Sequence, residues 1–597
     1  MRPDELISVL HRRGFLPASH VLENELVLEL IFWALVALLT IGLLIFRPRI
    51  ARTIEMAWKR ISRRQGLAVA ITIFSALAIR AALLPWLPIP NPVVHDEYSY
   101  LFQAKTFAMG RLTNPTPPMW VHFETFHINM WPTYQSMYPP GQALFMTAAM
   151  VLHLDPWWGV WLSVGLMCGA VCWMLQGWMA PPWALLGGMF CVIRFATYSY
   201  FVNSYWGGAT AAIGGALVMG ALPRIKHSGK VRDGLWFALG LVILANSRPY
   251  EGFVFSIPAL VWVVWWFFGS RRSWAARIRL AAPAMALLVV AVAGMAYYNW
   301  RSTGNPLLMP YTVNQQQYHI TKPFIWQTRN PIPKYHHQIM RTLYVIHELP
   351  DYLNRRYPDA LWLIYRLRLQ AYYDFYWFPM LGLVLFAGGT LLRSRRMLVV
   401  ILSVVTLFAG LAIEEWPFNP HYAAPMVCSV IAIVLFSLRF LRTWKIRSLP
   451  VGHMMVRAIV VIVALWSLVP TAAEAVNPYA VGLFSPMPPT FDRSRLLAEL
   501  DRLPGKHLVI VHNRRSADGL FDWVFNEPDL EHAKVIWARD MGPRNEELIR
   551  YYADRHVWFV DQDDKIMRLH PYDSQENELD PARVLHMASN GRPAPTP

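Results

Sequence analysis

The chain has 597 residues, of which 55% are hydrophobic and only 16% are charged. Soluble domains usually carry about 25% charged residues, and the mean hydropathy here is +0.28. The composition therefore excludes a soluble globular enzyme and a disordered or fibrous protein. The net charge of +17 would suggest nucleic acid in a soluble protein, but in so apolar a chain basic cytoplasmic loops explain it better. We expect no nucleic-acid partner.

The apolar residues form twelve blocks, each near the length that crosses a bilayer as a helix. They lie at 26–46, 66–86, 157–178, 183–199, 206–222, 234–247, 252–268, 278–297, 374–391, 397–413, 421–440 and 455–471. Two long segments interrupt the series, which we call the first long loop (87–156) and the second long loop (298–373). We therefore predict an α-helical polytopic membrane protein with about 12 spans. Its parts are an N-terminal region (1–65), a transmembrane core (66–471) and a C-terminal tail (472–597).

Basic residues indicate the orientation of these spans. Residues 47–66 contain seven Lys or Arg against the single acid Glu55, and further basic connections lie at 224–232, 271–279, 393–396 and 442–447. Such loops are typically cytoplasmic, and alternation then places both long loops and the tail on the outer face. The short apolar stretch 141–154 would break that alternation, so we predict a helix at the membrane interface there. We expect a multi-pass plasma (inner) membrane protein in contact with membrane lipids, with its active site on the outer or periplasmic face.

The termini and the cysteines indicate little further chemistry. No cleavable signal peptide is evident, because the first apolar block is too long for one. The tail contains three short strand-like runs, at 507–512, 533–540 and 556–561, with a helical pattern over 543–555. This order predicts a small α/β domain, followed by a disordered end, GRPAPTP. All four cysteines lie in apolar blocks, so we expect neither a disulfide framework nor a thiolate metal site.

The run His95-Asp96-Glu97-Tyr98 follows a hydrophobic span in the first long loop. Ionisable residues near bilayer depth favour a functional role, and a carboxylate there could accept a proton from an attacking hydroxyl. The neighbouring acid could orient it or bind a metal. The alternative is an acidic helix N-terminus stabilised by the helix dipole. We take Asp96 and Glu97 as candidate catalytic residues and His95 as a substrate-loop candidate.

Further along the same loop, His122, Glu124 and His127 fall within six residues. This spacing could contribute to a divalent metal site, but a polar interfacial helix explains it as well. Glu97, Glu124 and His127 are the metal-ligand candidates. Tyr138-Pro139-Pro140-Gly141 then starts the short apolar helix, since Pro suits a first helical turn.

Two further patches lie at the predicted outer ends of spans. Arg248 precedes Pro249, and His421-Tyr422 follow Pro420. Arginine and histidine suit a phosphate at the membrane surface, although Arg248 could instead pair with Glu251 or extend to lipid head groups. Asn203 and Tyr205, in the run Tyr198 to Gly208, could contact a sugar.

The ordered set of these features resembles the GT-C glycosyltransferases, in particular protein O-mannosyltransferases and the lipid A aminoarabinose transferase. The resemblance covers roughly residues 66 to 440. It implies a polyprenyl-phosphate sugar as donor, Asp96 as catalytic acid with Glu97 beside it, and His421-Tyr422 with Pro425 near the donor phosphate. Tyr138-Pro139-Pro140 resembles a KPP-like element of the family, with Tyr in place of Lys. The extra N-terminal span and the tail depart from the family pattern.

These observations predict an integral-membrane glycosyltransferase that moves a sugar from a polyprenyl-phosphate donor to a lipid, glycan or protein acceptor, with inversion if attack is direct. Two other activities would suit a similar chain. One is a transporter or flippase of a lipid-linked saccharide, which would show broken spans in two related halves. The other is a surface-polysaccharide polymerase or ligase.

Overall fold

The computed structural model describes residues 19–46, 49–270, 272–377, 379–415, 419–466, 490–513, 522–562 and 567–572. The GRPAPTP end, Arg271 and the start of the predicted tail domain at 472 lie outside these ranges. Helices dominate the first 466 residues, and a small sheet forms the tail.

Eight helices within the described ranges are long and apolar enough to cross a membrane. They are Val27–Phe46, Gln65–Ala82, Trp157–Trp178, Gly208–His227, Pro249–Gly269, Trp274–Thr303, Arg395–Ala412 and Pro420–Arg442. In the last of these, Pro420–Met426 is a 3₁₀ turn and Val427–Arg442 is α-helical. This agrees with a helical polytopic protein, with fewer long spans than the predicted twelve.

The remaining predicted spans are helices that are shorter or interrupted. Pro181–Phe195 and Val231–Ala245 have 15 residues each, and Val451–Trp466 has 16. The block 374–391 divides into a π-helical turn at Tyr373–Trp377 and the short helices Leu381–Phe386 and Gly388–Arg393. Proline and glycine interrupt helices, and Pro379, Gly388 and Gly389 lie at these breaks. Hydropathy averaged over the whole block conceals these breaks, so the sequence predicted one continuous span.

The helix Gly208–His227 lies at the centre of the bundle and is buried almost throughout. It packs on Trp157–Trp178, on Val231–Ala245 and on the 3₁₀ turn Pro420–Met426. A Cβ at Gly215 would lie 2.1 Å from the Pro425 carbonyl oxygen, so only glycine permits this approach. The contact places His421 and Tyr422 against the central helix.

The two long loops fold into their own small elements. The first contains the helices His95–Ala108, Trp120–Phe123 and Gly141–Val151 and an antiparallel pair of strands, Ile128–Asn129 with Gln135–Ser136. Gly141–Val151 is the short helix predicted at 141–154. The second contains Pro310–Gln317, Gln338–Arg341, a π-helix at Thr342–Glu348, Leu349–Asn354 and Pro358–Tyr372. The basic helix Arg49–Ser62 follows the first span.

The tail forms a four-stranded sheet with helices Thr490–Arg502 and Asn545–Tyr551. Strands Val535–Arg539, Lys506–His512 and Arg555–Asp561 are parallel in that spatial order, and His570–Pro571 adds an antiparallel edge. These three parallel strands coincide with the predicted runs, because buried parallel strands read as continuous apolar segments. The predicted helix at 543–555 is shorter than expected.

The tail shares a hydrophobic core with the first long loop. Tyr98 stacks on Phe525 with ring centroids 4.2 Å apart, and Phe123 packs beside Tyr552. The cluster also includes Phe102 and further apolar side chains from both segments. The tail therefore packs directly on the helix that begins at His95.

Candidate functional site

Glu97 holds the start of the helix His95–Ala108 in place. The approach, LPIPNPVV, contains three prolines, which favour extended chain. One oxygen of the fully buried Glu97 carboxylate accepts hydrogen bonds from the backbone N–H of Val93 and Val94, at 2.8 and 3.2 Å. The other accepts from the N–H of Tyr205 at 2.9 Å. Both carboxylate oxygens of Glu97 thus already accept hydrogen bonds from backbone N–H groups. This does not match the catalytic or metal-binding role that the sequence predicted for Glu97.

Asp96 lies at the centre of a polar cluster on the other side of this helix. Its carboxylate accepts a hydrogen bond from the Tyr138 hydroxyl, and its Oδ1 lies 3.3 Å from Nδ1 of His127. The same Tyr138 oxygen is 2.9 Å from His127 Nδ1. The Asp96 side chain is 28% exposed, so a ligand can reach it. Within the described ranges, Oδ2 accepts no hydrogen bond.

The surroundings keep Asp96 ionised. Burial alone would raise the pKa of its carboxyl, but the charge interaction and hydrogen bond with His127, together with the hydrogen bond from Tyr138, hold that pKa well below its usual range. A carboxylate with so low a pKa is a weak proton acceptor at rest. Removal of the Tyr138 hydrogen bond would make the carboxylate more basic.

His95 and His127 flank Asp96 with their rings stacked, 4.2 Å between centroids. Nδ1 of the buried His95 has no hydrogen-bond partner within the described ranges and lies 3.8 Å from Asp96 Oδ2. Burial and, next, the charge of His127 lower the pKa of His95 to about 3. His95 is therefore neutral at physiological pH, the form in which imidazole binds metals.

These three residues fit a divalent cation. Ligand atoms of His95, Asp96 and His127 lie within 4.8 Å of one another. Two imidazoles and a carboxylate suit zinc or manganese better than calcium, and the unpartnered Nδ1 of His95 provides a free ligand atom. Of the three predicted metal ligands, His127 belongs to this group, whereas Glu97 and Glu124 have other partners.

Three tyrosines connect Asp96 to Arg248. Tyr100 stacks on Tyr138 with centroids 4.4 Å apart, and the Arg248 guanidinium lies 4.5 Å from the centre of the Tyr422 ring. The charges of Asp96 and Arg248 both act on Tyr100 and on Tyr422. Asp96 and Arg248 therefore both lie near Tyr100 and Tyr422.

Arg248 can bind an anion through its N–H groups. Its side chain is 12% exposed and forms an ion pair with Glu251, 3.7 Å away, as the sequence allowed. No residue in the described ranges accepts a hydrogen bond from its guanidinium. Because buried N–H groups without acceptors are costly, this geometry suits a negatively charged ligand.

His421 lies next to Tyr422, the tyrosine that contacts Arg248. It is buried, stacks on Tyr422 at 4.9 Å between centroids, and its Nδ1 is 3.3 Å from the Tyr200 hydroxyl. His421 itself lies within electrostatic range of both Arg248 and Asp96. The two predicted phosphate-binding patches and the acid thus lie in one region of the fold.

Three other predicted residues have internal structural partners. Asn203 accepts a hydrogen bond from Arg80 at 3.0 Å and donates to backbone carbonyls. Tyr205 donates its hydroxyl to the Pro90 carbonyl at 3.0 Å. Glu124 accepts from the Tyr318 hydroxyl and contacts Nδ1 of His336, both at 2.9 Å. These contacts shape the loops around the site, and the structure does not bring these side chains to Asp96.

The sequence did not single out Tyr100. It also did not single out Arg539 and Asp522, the tail residues that contact Glu124 and Thr125 in the first long loop. Tyr100 lies four residues after Asp96, so both lie on one face of a helix, and that spacing was a usable signal. Arg539 and Asp522 carry no such signal, because they lie about 400 positions from their partners in the first long loop.

No protein-family model and no curated protein matches this chain. Among solved structures, ArnT from Cupriavidus metallidurans in the apo state matches at 13% identity and a TM-score of 0.46, covering 87% of this chain and 94% of that one. ArnT bound to undecaprenyl phosphate matches with the same coverage at 12% identity and a TM-score of 0.45.

The Archaeoglobus fulgidus oligosaccharyltransferase tethered with an acceptor peptide matches at 10% identity and a TM-score of 0.44, covering 83% of this chain and 68% of that one. ArnT and this oligosaccharyltransferase are GT-C glycosyltransferases, the class that the sequence resembles. Because all three TM-scores are below 0.5, we base the proposed function on the side chains of the site.

Proposed function

We propose that this chain is an integral-membrane glycosyltransferase that moves a sugar from a polyprenyl-phosphate donor to a lipid, glycan or protein acceptor. The observation that carries the proposal is the placement of an ionised, accessible carboxylate, Asp96, near a guanidinium, Arg248, that pairs with Glu251 but donates no hydrogen bond to the described residues. Sugar transfer from a lipid phosphate needs both groups. One accepts the proton of the acceptor, and the other neutralises the departing phosphate.

In this proposal Asp96 receives the acceptor hydroxyl at Oδ2, the oxygen that is not hydrogen-bonded by described residues. His127 and Tyr138 hold the opposite oxygen and so orient the carboxylate. A carboxylate that is already oriented speeds the reaction, because little reorganisation remains before the transition state. Direct attack of the hydroxyl on the anomeric carbon would invert its configuration.

Arg248 binds the donor phosphate and stabilises the charge that develops as the glycosidic bond breaks. Tyr422, whose ring lies 4.5 Å from the guanidinium, and His421, stacked on Tyr422, would lie next to this phosphate. Tyr100 and Tyr138, stacked on each other beside Asp96, are the aromatic residues nearest to the proposed position of the sugar. Glu97 acts as a positioning residue through its three backbone hydrogen bonds.

A divalent cation held by His95, Asp96 and His127 would supply Lewis-acid stabilisation of negative charge. We place the site on the outer face, as the basic loops predict. The identity of the sugar and of the acceptor is determined by the transfer product of the assay described next.

The test is sugar transfer by the purified protein in detergent, with a panel of polyprenyl-phosphate sugars as donors and the lipids, glycans and proteins extracted from the source membranes as acceptors. Formation of a new glycosidic bond, with release of polyprenyl phosphate, is expected. Movement of the intact lipid-linked saccharide across proteoliposomes, without cleavage, would overturn the proposal and favour the flippase. Transfer of a whole polymer chain would favour the polymerase or ligase.

A further inference from the structure

The segment that carries His127 is held in place by the tail. The backbone carbonyl of Glu124 accepts a hydrogen bond from Arg539 Nε at 2.7 Å. The Thr125 hydroxyl donates to Asp522 Oδ2 at 3.0 Å. Both bonds are buried, so they fix two consecutive residues of the first long loop shortly before His127.

The two tail residues form a buried ion pair. Arg539 donates to both oxygens of Asp522, at 3.1 and 2.6 Å, and the two side chains are only 2% and 0% exposed. Burial alone would raise the pKa of Asp522, but the charge and hydrogen bonds of Arg539 hold it below its usual range. A buried pair of this kind contributes little net stability, and its best-attested use is to specify a geometry.

The other end of the segment is held by the site itself. The His127 carbonyl accepts hydrogen bonds from the Ser99 hydroxyl at 2.6 Å and from the N–H of Met137 at 3.0 Å. His127 has a left-handed backbone, with φ of 59°. Residues other than glycine adopt this conformation when surrounding contacts impose it. Between the two ends, the fully buried Phe126 ring packs against His95 and Tyr344.

We infer that Arg539 and Asp522 are positioning residues for the reaction, which set the His127 ring against Asp96 through the 124–127 segment. This inference rests on the proposed function and extends it to the tail. The tail is then part of the support of the active centre, in addition to any role in packing or acceptor binding.

The experiment uses the full-length protein with the double variant Arg539→Met and Asp522→Leu. Replacing both partners avoids leaving one buried charge unpaired, which would unfold the tail for a trivial reason. Tail folding is checked by limited proteolysis of the purified full-length protein, in which a folded tail stays resistant. We expect kcat to fall by about ten-fold or more, as displaced catalytic groups typically cause, while KM for the lipid donor stays unchanged.

The matched control removes another ion pair between the same two parts, with Lys105→Gln and Glu527→Gln. This pair is half-exposed and contacts neither the 124–127 segment nor Asp96, so kcat should stay normal. A loss equal to that of the test variant would mean that any weakening of tail docking lowers activity, which would overturn a specific positioning role.

A double-mutant cycle with His127→Ala identifies the route. If Arg539 and Asp522 act through His127, their replacement changes kcat little once His127 is absent. If the losses in kcat from the tail replacements and from His127→Ala multiply, the inference is overturned. The proposed function then remains intact, provided that Asp96→Asn is inactive. Near-normal sugar transfer by Asp96→Asn would instead remove Asp96 as the base, and only the absence of sugar transfer by the unsubstituted protein would overturn the proposed function itself.

Discussion

Tyr138 donates its hydroxyl hydrogen to the carboxylate of Asp96, across 42 residues of the chain. The donor precedes two prolines at the start of a short helix, and the acceptor lies in the first turn of another. Their contact joins the two ends of the first long loop at the candidate catalytic group. An acceptor hydroxyl that binds at the other oxygen of Asp96 would meet a carboxylate that this phenol already orients.

Replacement of Asp96 by Asn should lower turnover by about 10² to 10⁴-fold, because the amide keeps the shape of the carboxylate but cannot accept a proton. Donor binding should largely survive, since Arg248 is unchanged. Sugar transfer and lipid-donor binding by the purified protein measure the two effects. Asp359→Asn, at an exposed acid of the second long loop, is the matched control. Near-normal turnover in Asp96→Asn would remove Asp96 as the base.

Tyr138→Phe should move the acid limb of the pH profile of kcat/KM to higher pH. The hydrogen bond from Tyr138 lowers the pKa of Asp96, so its loss raises that pKa. Activity that requires ionised Asp96 disappears as the pH falls through this pKa, and in the variant the loss begins at a higher pH. An unmoved acid limb would show that another group controls it.

Arg248→Gln should weaken lipid-donor binding by roughly 10- to 100-fold, the equivalent of about 1.5 to 3 kcal/mol for a hydrogen bond to a charged group. Titration of the purified protein with undecaprenyl phosphate measures the affinity directly. The control is Arg232→Gln, which removes an arginine whose side chain is 71% exposed. Equal effects of the two substitutions would mean that net charge alone attracts the lipid.

Metal binding at His95, Asp96 and His127 should appear as bound zinc or manganese in the purified protein, measured by elemental analysis. His95→Ala should reduce the bound metal, because it removes one of the three candidate ligands in the described part of the chain. Glu124→Gln should leave the metal content unchanged, since Glu124 contacts Tyr318 and His336 instead. Retention of full metal content in His95→Ala would locate any metal elsewhere.

The orientation in the membrane can be tested by labelling single introduced cysteines. The four native cysteines are buried, so their background reaction should be low. Exposed positions in the first long loop, the second long loop and the tail are Arg111, Tyr357 and Arg550, and all three should react from the outer face. Arg232→Cys should react only from the cytoplasm. Cytoplasmic labelling at any of the first three positions would contradict the predicted topology.

Features that depend on local composition could be predicted from the residues alone. The helical membrane core, the two long loops and the three parallel strands of the tail all follow from runs of apolar residues, whose burial is favourable wherever they lie. Asp96 and Arg248 could be selected in the same way, because a charged residue at the end of an apolar block is unusual. The spans that turned out shorter or broken contain proline and glycine, whose effect an average over many residues conceals.

Which polar side chains contact each other depends on the tertiary fold. Glu97, adjacent to Asp96, faces backbone N–H groups, whereas Tyr138 and His127 approach Asp96 from tens of residues away. Adjacent positions on a helix point about 100° apart, so neighbouring acids need not share an environment. Contacts between distant segments depend on how the loops close and on how the tail packs against them. The support that Arg539 and Asp522 give to the His127 segment therefore exists only in the folded chain.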